Sequence, residues 1–327
     1  MTKPSIDWDD EYSASPRRLL PGRGVARWSS VTLITLAVAA VLYYAIGMIV
    51  MHRVDDDPEF AAVDVPAGGS QAVAVTEMLI RREVDNYFWV ANDPFFFPSA
   101  LLDNTPNYQQ GIMYALSRFT IEMSDQIGRT RGSSEVDPDL DKAAGLLKYP
   151  GTVWIFDLST SLMPTASSES QYRAAARALA SYNERLAAGE AIFERRADNL
   201  LGTLDRIAAD LGSASATIDQ HLAGTHATLI DTQVDDIFYR VKGRLYAYYR
   251  LLDMLGRDFE PVLSDKQVDS SWTQMLDSMR QASALDPIVV MNGAADGAYF
   301  PSHLAVQGFY LLRARTQLRE ISNILQK

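Results

Sequence analysis

The sequence predicts a mainly α-helical protein: a single N-terminal transmembrane helix, then an exported helical bundle with a long antiparallel hairpin and at most a minor two-stranded β element. Three observations predict it. From Val31 to Met51 the run VTLITLAVAAVLYYAIGMIVM holds no charge over 21 residues, enough at about 1.5 Å per residue to cross the roughly 30 Å hydrocarbon core of a bilayer. Phe193, Ala197, Leu200, Leu204, Ile207, Leu211, Ala214 and Ile218 recur in alternating steps of four and three. Val234, Phe238, Val241, Leu245, Tyr248, Leu252 and Leu255 repeat the pattern. Each is a heptad seam, and the AGTHATLID between them carries turn formers, so the two segments are expected to fold back on each other.

The apolar run competes with two other readings, a cleaved signal peptide and a buried core helix. A signal peptide has a short basic start and 7–15 apolar residues, whereas this run is longer and follows a 30-residue polar tail, with Ala37-Val38-Ala39 inside it able to mimic a cleavage site. An anchor is the expectation. Arg17, Arg18, Arg23 and Arg27 precede it, and Asp55, Asp56, Asp57 and Glu59 follow a single Arg53. Basic residues stay on the cytoplasmic side, so the N-terminus is expected inside and the residues after about 52 outside. The domains then read as a disordered tail (1–30), the span (31–51), a juxtamembrane linker (52–70) and a helical domain (71–327). Residues 52–327 carry 25 basic and 37 acidic side chains, which argues against nucleic acid as a partner. With no cysteine there is no disulfide or thiol chemistry, which a domain with its own core tolerates.

Along the exported part, the acidic run of the linker reads as a solvated, self-repelling spacer. A helix runs from Ser70 until Asn92-Asp93-Pro94 stops it. Further helices are expected over 107–127, 139–148, 170–186, 190–222, 234–255, 268–284 and 302–325, the last capped by Ser302 and the fifth-from-last by Ser168 or Ser170. GTVWIF and PIVVMNG read as short strands.

No motif for a phosphate loop, a serine nucleophile or a zinc protease is present, and no cofactor is implied. His221 and His226, five apart, fall on different helix faces. Asp137, Asp139 and Asp141 start like a calcium loop, but Lys142 and Lys148 replace the glycine and the glutamate it needs, so Asp137 is read as a helix cap. Two clusters remain. Tyr239, Arg240, Arg244, Tyr246, Tyr249 and Arg250 are able to line a groove for an anionic or glycan ligand, or to be second-row core tyrosines and surface arginines. Asn92, Asp93, Asp103 and Asn104 flank Phe95, Phe96 and Phe97. That stretch reads as a helix-to-helix corner whose rings plug the bundle end and diverge from one another, or as a polar-mouthed pocket, or as a wedge dipping into a membrane.

WVANDPFFFPSALLDNTPNYQQG, DPIVVMNG and FPSHLAVQGFYLLRARTQLREI together resemble the bacterial family known as domain of unknown function 2333, over most of the exported chain. The resemblance implies a Gram-negative inner-membrane protein with one anchor and a mostly helical periplasmic domain, and brings no activity or catalytic residue. The expected role is an envelope interaction or scaffold module that binds another envelope protein, with a cell-wall enzyme or ligand-binding protein using Asp93 and Asp103 as the rival.

Overall fold

The computed structural model describes residues 23–61, 65–127, 136–156, 163–224, 233–293 and 301–327. They form ten α-helices: α1 (Arg23–Met51), α2 (Gln71–Arg81), α3 (Asn104–Glu122), α4 (Pro138–Leu147), α5 (Ser168–Ala187), α6 (Ala197–Gly224), α7 (Val234–Asp258), α8 (Glu260–Asp265), α9 (Asp269–Ser283) and α10 (His303–Leu325). α2 and α3 each end in a π turn, Arg82–Asn86 and Met123–Ile127. Residues 1–22, expected as a tail, and 225–232, which include His226 and most of the expected turn, lie outside the described residues.

α1 is the one described helix long and apolar enough to cross a bilayer, over Arg27–Met51, which by length and composition suits a membrane span or a signal sequence. The helices of the domain start where side chains satisfy their free amides. Asp137 accepts from the amides of Asp139 and Leu140, and Ser302 from that of Ala305, as the sequence leads one to expect. Ser167 caps α5, ahead of the serines expected to do so. α2 has a long-range cap: Asp258, the last residue of α7, accepts from the Ser70 hydroxyl at 2.6 Å and the amides of Gln71 and Ala72 at 2.9 and 3.0 Å. A carboxylate at that end also meets the positive pole of the helix.

α7 is the central helix, with 17 of its 25 residues buried. α3 crosses it most closely, and two glycines make that possible. Gly111 of α3 lies on the backbone of Arg240 and Arg244, and Gly243 of α7 lies on the backbone of Tyr108 and Ile112. A Cβ on either would run into main chain of the opposite helix, which unlike a side-chain tip has nowhere to go. α2 and α9 also lie against α7, while α4 packs with α5.

α6 and α7 do run antiparallel, since Asp210 meets Tyr248 and Ser213 meets Arg244, but their stripes do not form one seam. The apolar face of α6, from Leu200 to Ile218, is buried mainly against α10, and that of α7 against α3, α9 and α2. The strip where α6 meets α7 is polar: Asp210 accepts from the Tyr248 hydroxyl at 2.7 Å and from Arg118 of α3 at 3.2 Å. A periodic stripe shows that a face is buried without naming the helix that buries it. α7, apolar on several faces, is claimed by neighbours distant in sequence.

Among the described residues there is no strand. PIVVMNG contributes one antiparallel bridge, Asn292 to Ser302, and GTVWIF runs as turn and loop, with the Val153 and Ile155 carbonyls accepting from the amides of Ser168 and Thr165. Among the described residues neither segment has a further strand to pair with, and so short a ladder does not persist alone.

The glycine crossing sets a measurable expectation. Gly111→Ala or Gly243→Ala should destabilise the domain by about 1–3 kcal/mol or more through overpacking, lowering its melting temperature by several degrees, whereas Gly145→Ala, with open space around it, should leave it unchanged or slightly raised. Differential scanning calorimetry of the three variants checks this.

Candidate functional site

The residues between α1 and α2 run against the bundle, and the acidic run is bound by its side chains. Tyr108 of α3 donates its hydroxyl to the Asp55 carbonyl at 2.5 Å and Tyr246 of α7 to the Asp57 carbonyl at 2.9 Å. One helical turn on, Tyr249 donates to the Pro58 carbonyl at 3.3 Å, and Arg250 to the carbonyls of Phe60 and Pro58 at 2.6 and 2.5 Å. Lys242, fully buried, reaches the Asp56 carboxylate at 2.8 Å and the Leu285 carbonyl at 2.8 Å. Positions 242, 246, 249 and 250 share one helix face, and that face is covered by the chain's own acidic segment. The solvated-spacer reading of this run is thereby corrected for its main chain and for Asp55 and Asp56, which meet Arg82 and Lys242, while Asp57 and Glu59 stay exposed.

Arg82, in the π turn after α2, completes the clamp. It is 3% exposed, pairs with the Glu83 carboxylate at 2.7 Å, donates to the Tyr246 hydroxyl at 2.9 Å and lies 3.5 Å from Asp55. Its guanidinium sits over the rings of Phe60 and Tyr246, 4.8 and 5.0 Å from their centroids. Burial raises the Glu83 carboxyl above its ordinary value, against the pull of Arg82. Burial would also raise Asp55, but the Tyr87 hydroxyl at 2.5 Å, the Arg82 charge and the Asp57 amide outweigh it and hold that carboxyl low. Arg82, Lys242 and Tyr108 were not singled out from the sequence. The signal was there in form, an acidic triplet with no partner of its own, but nothing in a linear chain says which cations will meet it.

The aromatic stretch lies elsewhere than expected. A turn closes with the Phe97 amide donating to the Pro94 carbonyl at 2.9 Å, and Pro98–Leu101 forms a 3-10 turn. Phe95 and Phe96 are exposed and Phe97 is half-buried, so the rings do not plug the bundle end. Nor do they diverge: Phe96 stands 5.5 Å from Phe95 and 5.1 Å from Phe97, because the turn replaces the extended backbone that would have alternated them. The loop rests on α1. Tyr44 and Tyr43 donate their hydroxyls to the carbonyls of Phe95 and Phe96 at 3.0 and 3.3 Å, and Gly47 abuts Pro98 with no room for a Cβ.

The other candidate residues separate. Asn92 donates to the Val153 carbonyl and the Glu169 carboxylate at 2.8 and 2.9 Å, and Asp93 accepts from Ser99, its carboxyl raised by burial. Asp103 instead accepts from the amide of Asn104, the first residue of α3. Its carboxylate oxygens come within 4.8 Å of those of Asp235 and Asp236, whose carboxyls are raised by burial and then by the Asp103 charge. Three carboxylates at that spacing are fewer than the six to eight oxygens calcium prefers, and Asn107 and Arg240 already lie beside Asp236. Tyr239 is buried edge-on to Phe238. Arg240 donates to Asn107 at 2.6 Å, and Arg244 lies 4.0 Å above the Tyr114 ring and donates to Ser213 at 3.2 Å. Of the six residues read as one groove on α7, Tyr246, Tyr249 and Arg250 thus hold the acidic segment, while Arg240 and Arg244 brace α3 and α6.

A family model described as an uncharacterized protein conserved in bacteria, domain of unknown function 2333, matches residues 67–229 and 220–327. No curated protein and no solved structure matches the chain.

Two outcomes follow from the clamp. Arg250→Ala should release residues 58–60 and speed proteolytic cleavage between α1 and α2 several-fold, with Arg257→Ala, on an exposed side chain, unchanged; time-resolved limited proteolysis reads the difference. A carboxyl held low binds its proton less readily folded than unfolded, so its stabilisation is complete above the unfolded value near 3.9 and is lost as pH falls through the folded one. Wild type should therefore out-melt Asp55→Asn at pH 6–7, and the gap should close only as the pH falls below about 4.

Proposed function

The chain belongs to the uncharacterised bacterial family of domain of unknown function 2333, and from that premise we propose that it is a single-pass inner-membrane protein whose helical domain serves in the periplasm as an interaction or scaffold module for another envelope protein. The observation that carries the reading is the outer face of α10. Leu304, Leu311, Ala314, Leu318 and Ile321 are buried on one side of this helix, while Val306, Phe309 and Leu312 are exposed on the other. Steps of three place those three within an arc of about 120° opposite the core stripe. Contiguous exposed apolar side chains of this kind mark protein–protein surfaces.

Retention of α1 as an anchor is supported by its uncharged run of 21 residues, longer than the about 7–15 of a signal peptide. Its last turns also engage the domain through Tyr43, Tyr44 and Gly47, and just past its end the Arg53 amide meets Thr105 Oγ1 at 3.2 Å. The clamp then fixes the domain close to the bilayer in one orientation, as a scaffold needs. Outward placement of the domain rests on the basic-before, acidic-after asymmetry about α1.

Two measurements test this. An alkaline phosphatase fused after Lys327 should be active, and green fluorescent protein exported there by the general secretory route should be dark; the opposite pair would overturn the topology, and a mature N-terminus near Ala40 would overturn the anchor. A photoreactive residue at Phe309 in living cells should give a discrete adduct that a probe at exposed Glu190, away from α10, does not, and equal labelling from both positions would remove α10 as the docking face.

A further inference from the structure

The aromatic loop against α1 carries an inference of its own, which rests on α1 spanning the membrane but not on which side the domain lies. We propose that Phe95–Leu101, with Trp154 and Phe156 beside it, inserts into the lipid of the leaflet nearest the domain, so that the protein holds the bilayer at two places, a span and a shallow wedge.

Depth is the first argument. The loop meets α1 at Tyr43, Tyr44 and Gly47, four to eight residues before the end of the helix at Met51, or about 6–12 Å below it. That is the depth at which interfacial elements bury their apolar faces. If α1 spans, a loop fastened there is within the membrane boundary and not above it.

Composition agrees with that depth. Phe95 is 83% exposed and Leu101 64%. Phe96 is packed 5.6 Å from Trp154, which is 5.4 Å from the exposed Phe156. In water this would be a costly cluster of uncovered rings, whereas against acyl chains and headgroups it is what an amphipathic aromatic rim provides.

The backbone is the third argument. Non-helical main chain at membrane depth must have its polar groups satisfied from within the protein. Here the carbonyls of Phe95 and Phe96 each accept a hydroxyl from a tyrosine of α1 itself, the amides of Phe97, Ala100 and Leu102 donate within the loop, and Pro94 and Pro98 have no amide to satisfy. Tyrosines placed on a lipid-facing helix to cap a loop's carbonyls are hard to account for if the loop is bathed in water, which would satisfy them at no such expense of side chains.

The native chain has no cysteine, so single probes are clean. Full-length Phe95→Cys, Leu101→Cys, Leu36→Cys and Glu190→Cys, each carrying a polarity-sensitive fluorophore, would be reconstituted at high dilution into phosphatidylethanolamine and phosphatidylglycerol vesicles with or without lipids bearing a nitroxide near the headgroup end of the acyl chain. The proposal expects blue-shifted emission and loss of most of the signal to the nitroxide lipid at positions 95 and 101, with Glu190 unaffected. Leu36 in apolar surroundings but positions 95 and 101 unquenched would overturn the wedge and leave the span intact. A Leu36 probe in water would overturn the span and the wedge with it. If a second copy or another protein covered the loop, the purified protein would leave the probes at 95 and 101 unquenched, which also overturns the proposal.

Discussion

The close crossing of α3 and α7 at Gly111 and Gly243 is the constraint on which the rest of the structure depends. It draws two backbones together until neither tolerates a Cβ, and it sets the positions of everything these helices carry. Tyr108, one turn before Gly111, comes 6.2 Å from the ring of Tyr246. Both hydroxyls then point at the main chain of residues 55–57. Were the helices held apart by a methyl group at each glycine, the two tyrosines would no longer converge on one segment.

From that crossing the clamp follows. α7 is buried on most sides, so its polar residues must be satisfied at its surface or by a segment brought to it. Lys242 and Arg250 meet that demand with the carboxylate of Asp56 and the carbonyls of Pro58 and Phe60. Arg82 and Glu83 form a buried ion pair that by itself contributes little, since desolvation offsets the attraction. Its value is positional, because a guanidinium fixed between Glu83, Tyr246 and Phe60 leaves one place for Asp55. The same arrangement that satisfies the core thus holds the segment leading to α1.

The connection between α1 and the domain is consequently short and multiply bonded. Residues 55–60 are tied to α3 and α7, the Arg53 amide to Thr105, and the last turns of α1 to the Phe95–Leu101 loop. A flexible tether would let α1 and the domain move independently. This one holds the end of α1 against the domain by bonds from several elements.

The sequence by itself determined the helical class, the long apolar helix near the N-terminus, and local capping at Asp137 and Ser302, because each depends on side chains within a few residues of one another. Both long stripes were legible as buried faces for the same reason. It did not determine their partners: α6 turned to α10 and α7 to α3, since periodicity reports burial without direction. The fate of Asp55, Asp56 and Asp57 was equally out of reach. Alone they read as a repelling run, and only a fold that brings Arg82, Lys242 and two tyrosines from 27 to 191 residues away makes them a bound strap. For Phe95, Phe96 and Phe97 the local turn was foreseeable from two prolines, yet which way the rings face was decided by α1, whose tyrosines hold the loop outside the core.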